Sequence, residues 1–202
     1  MKSVARSVKA IGDRVVAAAA LIVLTPLLIA VAILIRLTSS GPVLHRRHVL
    51  GLHGTAFDAL KFRTMVVNAD DLLRAQPELR AAFAANSKIR NDPRVTAVGR
   101  VLRKLSLDEL PQLFNVLRGQ MSLVGPRMIA PDEADKYGAA LHKRLSVKPG
   151  MTGLWQVHGR QHLDYAQRIE LDLQYIDRWS LWLDVVILLK TVPAVLTMRG
   201  AY

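Results

Sequence analysis

Residues 15–35 read VVAAAALIVLTPLLIAVAILI, a run of 21 side chains without a formal charge. At about 1.5 Å of rise per residue, such a helix is long enough to cross the apolar core of a bilayer. A buried helix of a soluble protein would need core packed around it on every side. Thr25-Pro26 stands at the middle of the run, where proline removes a helix hydrogen bond and bends the axis. Basic residues flank both ends, Arg6, Lys9 and Arg14 before and Arg36, Arg46 and Arg47 after. Their charge draws both ends toward the cytoplasmic face of a membrane. A bent hairpin that enters and leaves by one face satisfies both pulls, whereas a straight crossing strands one basic cluster outside. A membrane-anchoring re-entrant helix over residues 1–40, kinked at Pro26, is therefore expected. A secretory signal also pairs a basic start with an apolar run. This run is longer than a typical signal core and no convincing cleavage site follows, so it should be retained.

The remaining composition narrows the partners. The chain has 202 residues, enough for one sizeable domain plus an attached element. There are no cysteines, which excludes disulfides and thiolate metal sites. The net charge of +12, from 28 Lys+Arg against 16 Asp+Glu, favours nucleic acid, an anionic membrane or phosphorylated substrates. Aromatics at 5% are thin for stacking on single-stranded bases, and no nucleic-acid motif is present, so nucleic acid is not expected as a partner.

Beyond the apolar run the pattern reads as a helix-rich α+β catalytic domain with short strands, over residues 41–202. Ser39-Ser40-Gly41-Pro42 is a turn leaving the membrane. Residues 43–67, broken by Gly51 and Gly54, predict strands or a hairpin. Helix is expected over 68–87, over 95–118 in two pieces around Leu105-Ser106, over 131–145 and over 163–178. A short strand is expected at Met121 to Val124, with turns at Asn91-Asp92-Pro93 and Lys148-Pro149-Gly150. The last stretch, about 179–198, is apolar but interrupted by Asp184, Lys190 and Pro193, which argues against a second span. An interfacial amphipathic helix with Trp179 and Trp182 at head-group depth fits it, and so does a plain core helix.

The densest chemistry lies between Arg90 and Arg127, RNDPRVTAVGRVLRKLSLDELPQLFNVLRGQMSLVGPR. Seven of its cations surround one acidic pair, Asp108-Glu109. Arginine forks grip phosphate oxygens, and carboxylates hold magnesium or act as nucleophiles. Ser106-Leu107-Asp108-Glu109 is equally a capping box, in which Glu109 returns to the backbone and Asp108 merely favours a helix start. The six histidines show no metal spacing, and there is no Walker loop, GxGxxG or Ser/His/Asp pattern.

Ordered blocks along nearly the whole chain carry a resemblance. They include the basic-flanked apolar run with Pro26, Gly41-Pro42-Val43, and Lys61-Phe62-Arg63-Thr64-Met65. Asp92-Pro93-Arg94 and Ser106-Leu107-Asp108-Glu109-Leu110-Pro111-Gln112-Leu113 follow, then Asn115-Val116 and Met121-Ser122-Leu123-Val124-Gly125-Pro126-Arg127. Lys148-Pro149-Gly150-Met151-Thr152-Gly153, Trp155-Gln156-Val157, Gly159-Arg160 and Gly200-Ala201-Tyr202 complete the set. In these the chain resembles the bacterial sugar transferases, the monotopic phosphoglycosyl transferases that start polysaccharide and glycan assembly. Two places depart from the family pattern. Arg47-His48-Val49-Leu50-Gly51 stands where the family has Gln-x-Arg-x-Gly, and Met128 replaces a proline after Gly125-Pro126-Arg127. The second departure opens the loop presenting Arg127 to loosening.

The resemblance implies Asp108 as nucleophile, with Glu109 beside it in metal binding or proton handling and Mg2+ as cofactor held by the pair. Arg103, Arg127 and Arg160 would hold phosphate oxygens, with Arg63 and Lys61 as further phosphate ligands or structural supports. The implied reaction moves a sugar 1-phosphate from a UDP-sugar to undecaprenyl phosphate and releases UMP, through a phosphosugar on Asp108. The implied place is the cytoplasmic face of the bacterial inner membrane, with membrane lipids as neighbours. Each basic residue near such a surface adds about 1 kcal/mol of attraction to anionic lipid. The tail from Trp179 to Tyr202 resembles exopolysaccharide-initiating members, which points to glucose or galactose phosphate, although small members using diacetamido sugars share the same core. Larger relatives carry an additional amino-terminal membrane domain not found in these residues. A homo-oligomer is compatible with the sequence. The rival class is a non-catalytic membrane scaffold with a basic lipid-binding face, for which the acidic pair and magnesium would be irrelevant.

Overall fold

A computed structural model describes residues 2–86, 89, 92–159 and 163–196. The apolar run forms the greater part of one helix, α1 (Lys2–Thr38), with Pro26 inside it. Hydrogen-bonded helix continues through the proline. Just before it Thr25 Oγ1 donates to the Leu21 carbonyl, a side-chain bond of the kind that bends helices. By length and composition α1 can cross a membrane. One stripe of it, Ala17, Leu21, Leu24, Leu28, Val31 and Ile35, is buried against or packed on the protein body. Those positions recur every three or four residues, so a single face of the helix lies on the body. Ile22, Val23, Ile29, Ile33 and Leu37 on other faces are exposed.

The body is helix-rich with short strands. β1 (Leu44–Leu50) and β2 (Ala56–Phe62) form an antiparallel hairpin in which Leu44 opposes Phe62 and Leu50 opposes Ala56. The helix expected over 68–87 is divided at Gln76-Pro77 into α2 (Ala69–Ala75) and α3 (Pro77–Asn86). The residue before a proline avoids helical geometry, and Gln76 is extended there. α4 (Ala97–Lys104) is capped by Thr96, whose side chain accepts from the Gly99 amide. A 3-10 turn (Leu107–Glu109) and α5 (Gln112–Leu117) follow, so that helix lies on either side of Leu105-Ser106 as expected, with the second piece itself divided.

β3 (Ser122–Val124) pairs in parallel with β4 (Gly150–Thr152), which begins at the last residue of the turn expected at Lys148-Pro149-Gly150. Backbones approach so closely there that a Cβ on Gly150 would collide with the backbone of Gly125. The segment expected as helix over 131–145 is a 3-10 stretch (Pro131–Ala140) and α6 (Leu141–Arg144), interrupted where Gly138 takes a positive φ. α7 (Leu154–His158), α8 (Tyr165–Arg178) and α9 (Leu181–Leu196) are the last elements among the described residues. α8 opens on a capping box between Asp164 and Gln167.

The main core joins α1, the hairpin, α5, β3, α7, α8 and α9 through residues such as Leu21, Val49, Leu113, Val116, Val124, Leu154, Tyr175 and Ile187. The charges that interrupt the last apolar stretch are not all turned to solvent. Asp184 is buried, and its carboxylate accepts from Lys9 Nζ at 2.6 Å, Tyr175 Oη at 2.7 Å and Trp179 Nε1 at 3.1 Å. Trp179 is thus half-buried and bonded inward, while Trp182 is exposed.

Candidate active site

Two buried polar devices set the geometry of the acidic pair. Asn115 in α5 is fully buried. It accepts from the Leu60 amide at 2.9 Å and donates to the Asp58 carbonyl at 2.8 Å. It therefore ties α5, which begins three residues after Glu109, to the strand carrying Lys61. The second device is the close seat of α4. A Cβ at Gly99 would fall on the Thr64 backbone, so only glycine lets the helix approach there. That approach brings Arg103 Nε to Thr64 Oγ1 at 2.9 Å.

Between these supports Ser106 adopts left-handed backbone, φ 56° and ψ 20°, uncommon for a residue with a side chain and costing about 1 kcal/mol. Its side chain makes no capping bond. The capping-box alternative thus loses its Ser106 half. Glu109 Oε1 instead accepts from Lys61 Nζ at 2.6 Å and lies 3.5 Å from Arg127 Nη2. The turn that begins at Ser106 serves to aim two carboxylates.

Asp108 and Glu109 line a cavity of about 860 Å³ together with Lys61, Arg63, Arg103 and Arg127. Burial pushes the Asp108 carboxyl up to about 6, and the neighbouring Glu109 charge adds to the rise. Lys61, Arg103 and Arg127 work against it through space. Burial also lowers Arg103, which faces this cavity from the end of α4. Arg63 is buried and turned toward α1, donating to the carbonyl and Oγ of Ser39. It therefore braces the junction of α1 and the hairpin while also lining the cavity. Arg160 lies outside the described residues.

Arg127 is held firmly. The fully buried Arg144 donates to the Pro126 and Arg127 carbonyls, and Met128, at the family's proline position, is buried in the main core. Arg144 and Met128 thus hold the backbone on either side of the Arg127 side chain. Arg47, in the other departure from the family pattern, pairs with Glu133 at 2.9 Å and also lines the cavity.

Sequence reasoning missed Arg168. Its guanidinium lies 5.1 Å from the centre of the Trp155 ring, and Arg127 lies 5.7 Å from the same ring. All three line the cavity. Arg168 sits in α8, 60 residues after Asp108, with nothing in its local sequence to connect it to the acidic pair. Buried Asp92 and Arg94 form a paired wall, with contacts of 2.7 to 3.2 Å. Burial opposes ionisation of Asp92, but its bonds from Arg94 prevail and hold the carboxyl below its ordinary range.

Among the described residues no cluster of three or more His, Cys, Asp or Glu could cage a metal. Two adjacent carboxylates facing a cavity nevertheless fit magnesium, which is commonly held by one or two carboxylates together with substrate phosphates. The site is thus a cation-lined cavity, open on one side, around a carboxylate pair. By comparison with known proteins the chain belongs to the bacterial sugar transferase family, whose profile matches residues 4–198, and it is a transferase.

Three relatives illustrate the similarity. The chain is 45% identical over 194 residues to the exopolysaccharide production protein ExoY of Rhizobium meliloti, covering 94% of this chain and 86% of that protein. It is 47% identical over 199 residues to the UDP-glucose:undecaprenyl-phosphate glucose-1-phosphate transferase of Caulobacter vibrioides, covering 93% and 70%. It is 50% identical over 166 residues to the undecaprenyl-phosphate galactose phosphotransferase of Salmonella typhimurium, covering 80% of this chain but 35% of that protein. The chain also spans 42% of an uncharacterized sugar transferase of Haemophilus influenzae.

Proposed function

We propose that the enzyme transfers a sugar 1-phosphate from a UDP-sugar to undecaprenyl phosphate, as the first membrane step of exopolysaccharide assembly. The observation that carries the reading is the contrast between the two carboxylates. Glu109 is anchored by Lys61 and Arg127, whereas Asp108 makes no ion pair among the described residues and faces the cavity. A half-buried carboxylate with cations nearby is a suitable nucleophile toward a phosphate ester. The printed activities of the Caulobacter and Salmonella relatives supply the substrates.

An oxygen of ionised Asp108 attacks the sugar-bearing phosphorus of the UDP-sugar. The bond from that phosphorus to the bridging oxygen breaks, and UMP leaves with the oxygen. The lipid phosphate oxygen then attacks the same phosphorus, the Asp108–phosphorus bond breaks, and the lipid diphosphosugar departs. Arg103 and Arg127 neutralise phosphate oxygens in both steps, while Lys61 fixes the Glu109 carboxylate. Asp108 and Glu109 would hold Mg2+, which screens repulsion between carboxylate and diphosphate. Glucose or galactose phosphate is the proposed cargo.

The anchor belongs to the same reading. Lys9 near one end of α1 is bonded to Asp184, and Arg63 grips Ser39 just past the other end. Both ends of the apolar helix are therefore tied to one catalytic body, which supports a re-entrant attachment at the cytoplasmic face over a crossing. Attachment there confines the enzyme and its lipid substrate to one plane.

The decisive experiment measures exchange of labelled UMP into UDP-sugar without any lipid acceptor. The wild type should catalyse it and Asp108→Asn should not. Exchange surviving in Asp108→Asn would remove the nucleophile. Glu109→Gln should cripple turnover yet leave membrane binding intact, whereas a non-catalytic scaffold would show no such dependence.

A further inference from the structure

The catalytic cavity has a wall that phosphate chemistry does not require. Leu188, Thr191 and Val195 of α9 line it, at spacings of three and four that place them on one edge of the helix. Thr191 and Thr152 share a hydrogen bond of 2.8 Å between their hydroxyls, seating this edge against β4. A second stripe, Trp182, Val185, Leu189 and Val192, is 71%, 42%, 65% and 58% exposed. On a helical projection the two stripes adjoin, since Leu188 and Val192 differ by about 40° at about 100° per residue. Leu188 belongs to both, because it lines the cavity and is also 37% exposed. An apolar path thus runs from the outer face of α9, over Leu188, into the chamber that holds Asp108.

A nucleotide sugar is polar along its length and gains nothing from such a path. A molecule with a phosphate head and a hydrocarbon tail matches both the path and the cavity, since Lys61, Arg103 and Arg127 line the same cavity. We propose that the Leu188–Thr191–Val195 edge of α9 is the acceptor subsite. There the first isoprene units of the polyprenyl phosphate lie against the helix while the phosphate reaches Asp108. α9 is then a partition with catalysis on one side and lipid on the other. The assignment rests on the function proposed above and adds the residues that choose the acceptor.

The test uses the full chain in lipid nanodiscs, with undecaprenyl phosphate and a two-isoprene phosphate as acceptors. Replacing a buried apolar contact by a polar amide in Leu188→Gln or Val195→Gln should raise the KM for undecaprenyl phosphate about tenfold. Leu188→Met should restore it, because the flexible thioether refills the same apolar space. The KM for UDP-sugar and the UMP exchange rate without acceptor should stay within about twofold, the spread of a change that misses the nucleotide. An unchanged acceptor KM in both glutamine variants overturns the subsite, as does a parallel rise in both substrates' KM. A wild type that turns over normally but shows no UMP exchange would overturn the covalent reading alone. A wild type that makes no lipid-linked product would overturn the proposed function, and the subsite with it.

Discussion

Asp108 combines two properties that pull in opposite directions. In the proposed reaction it must be ionised to attack phosphorus, yet burial and Glu109 hold its carboxyl up near 6, above the ordinary 3.8. Turnover should therefore fall as pH drops through about 6, with the acid limb of kcat/KM against pH reporting the free enzyme. Lys61 is one of the cations that oppose the rise. Lys61→Met should move that limb upward by about half a unit to one unit, whatever it does to the maximal rate. Stability follows the same sign. A carboxyl raised on folding favours the folded state at low pH, and that advantage is lost as pH climbs from about 4 through about 6. Asp108→Asn escapes this loss. Its thermal midpoint should match the wild type below pH 4 and exceed it above pH 6, by the equivalent of about 1–3 kcal/mol. Denaturation at several pH values checks it.

Among the elements, α1 and α9 depend on each other through one polar contact. Lys9 meets Asp184 in a buried setting that Tyr175 and Trp179 complete, while Asp13 receives Ser122 Oγ at 2.6 Å from β3. Truncating one partner of such a pair leaves a charge with too little solvation. Lys9→Met should cost about 3 kcal/mol, whereas Lys9→Met with Asp184→Leu should recover much of that. Thermal unfolding of both variants in one detergent measures it. The interruption at Asp184 was visible in the sequence, but its partner lies 175 residues away. Hydropathy alone therefore could not separate an inward polar clasp from the water-facing side of an interfacial helix.

At the scale of the whole molecule, the proposed attachment keeps both ends of the 37-residue helix α1, with its apolar run of 21, on one side of a membrane. The absence of cysteine makes a clean test possible. Single cysteines replacing Arg6 and Arg36 should both react with an impermeant maleimide in inverted vesicles, and neither in right-side-out cells. Opposite labelling of the two would establish a crossing. The basic residues around α1 should also make membrane attachment weaken in high salt, as charges screened beyond about 10 Å lose their hold on anionic lipid.

Local pattern carried much of this protein. An uncharged run of 21 residues must be helix, and apolar surface that extensive needs lipid or core around it whatever the rest of the chain does. The hairpin around Gly51 and Gly54, the Thr96 cap and the Asp164–Gln167 box are decided within a few residues, so they could be read or were close to readable. The acidic pair and its nearby cations were legible too, because Asp108, Glu109 and Arg103 are neighbours in the chain. Only folding gives the two carboxylates different surroundings. Lys61 reaches Glu109 across 48 residues, Asn115 aligns its helix with β2, and Trp155 gathers Arg127 and Arg168. Burial, which sets the charge of Asp108, and the apolar wall that α9 gives the cavity are sums over distant parts of the chain. No local stretch contains them.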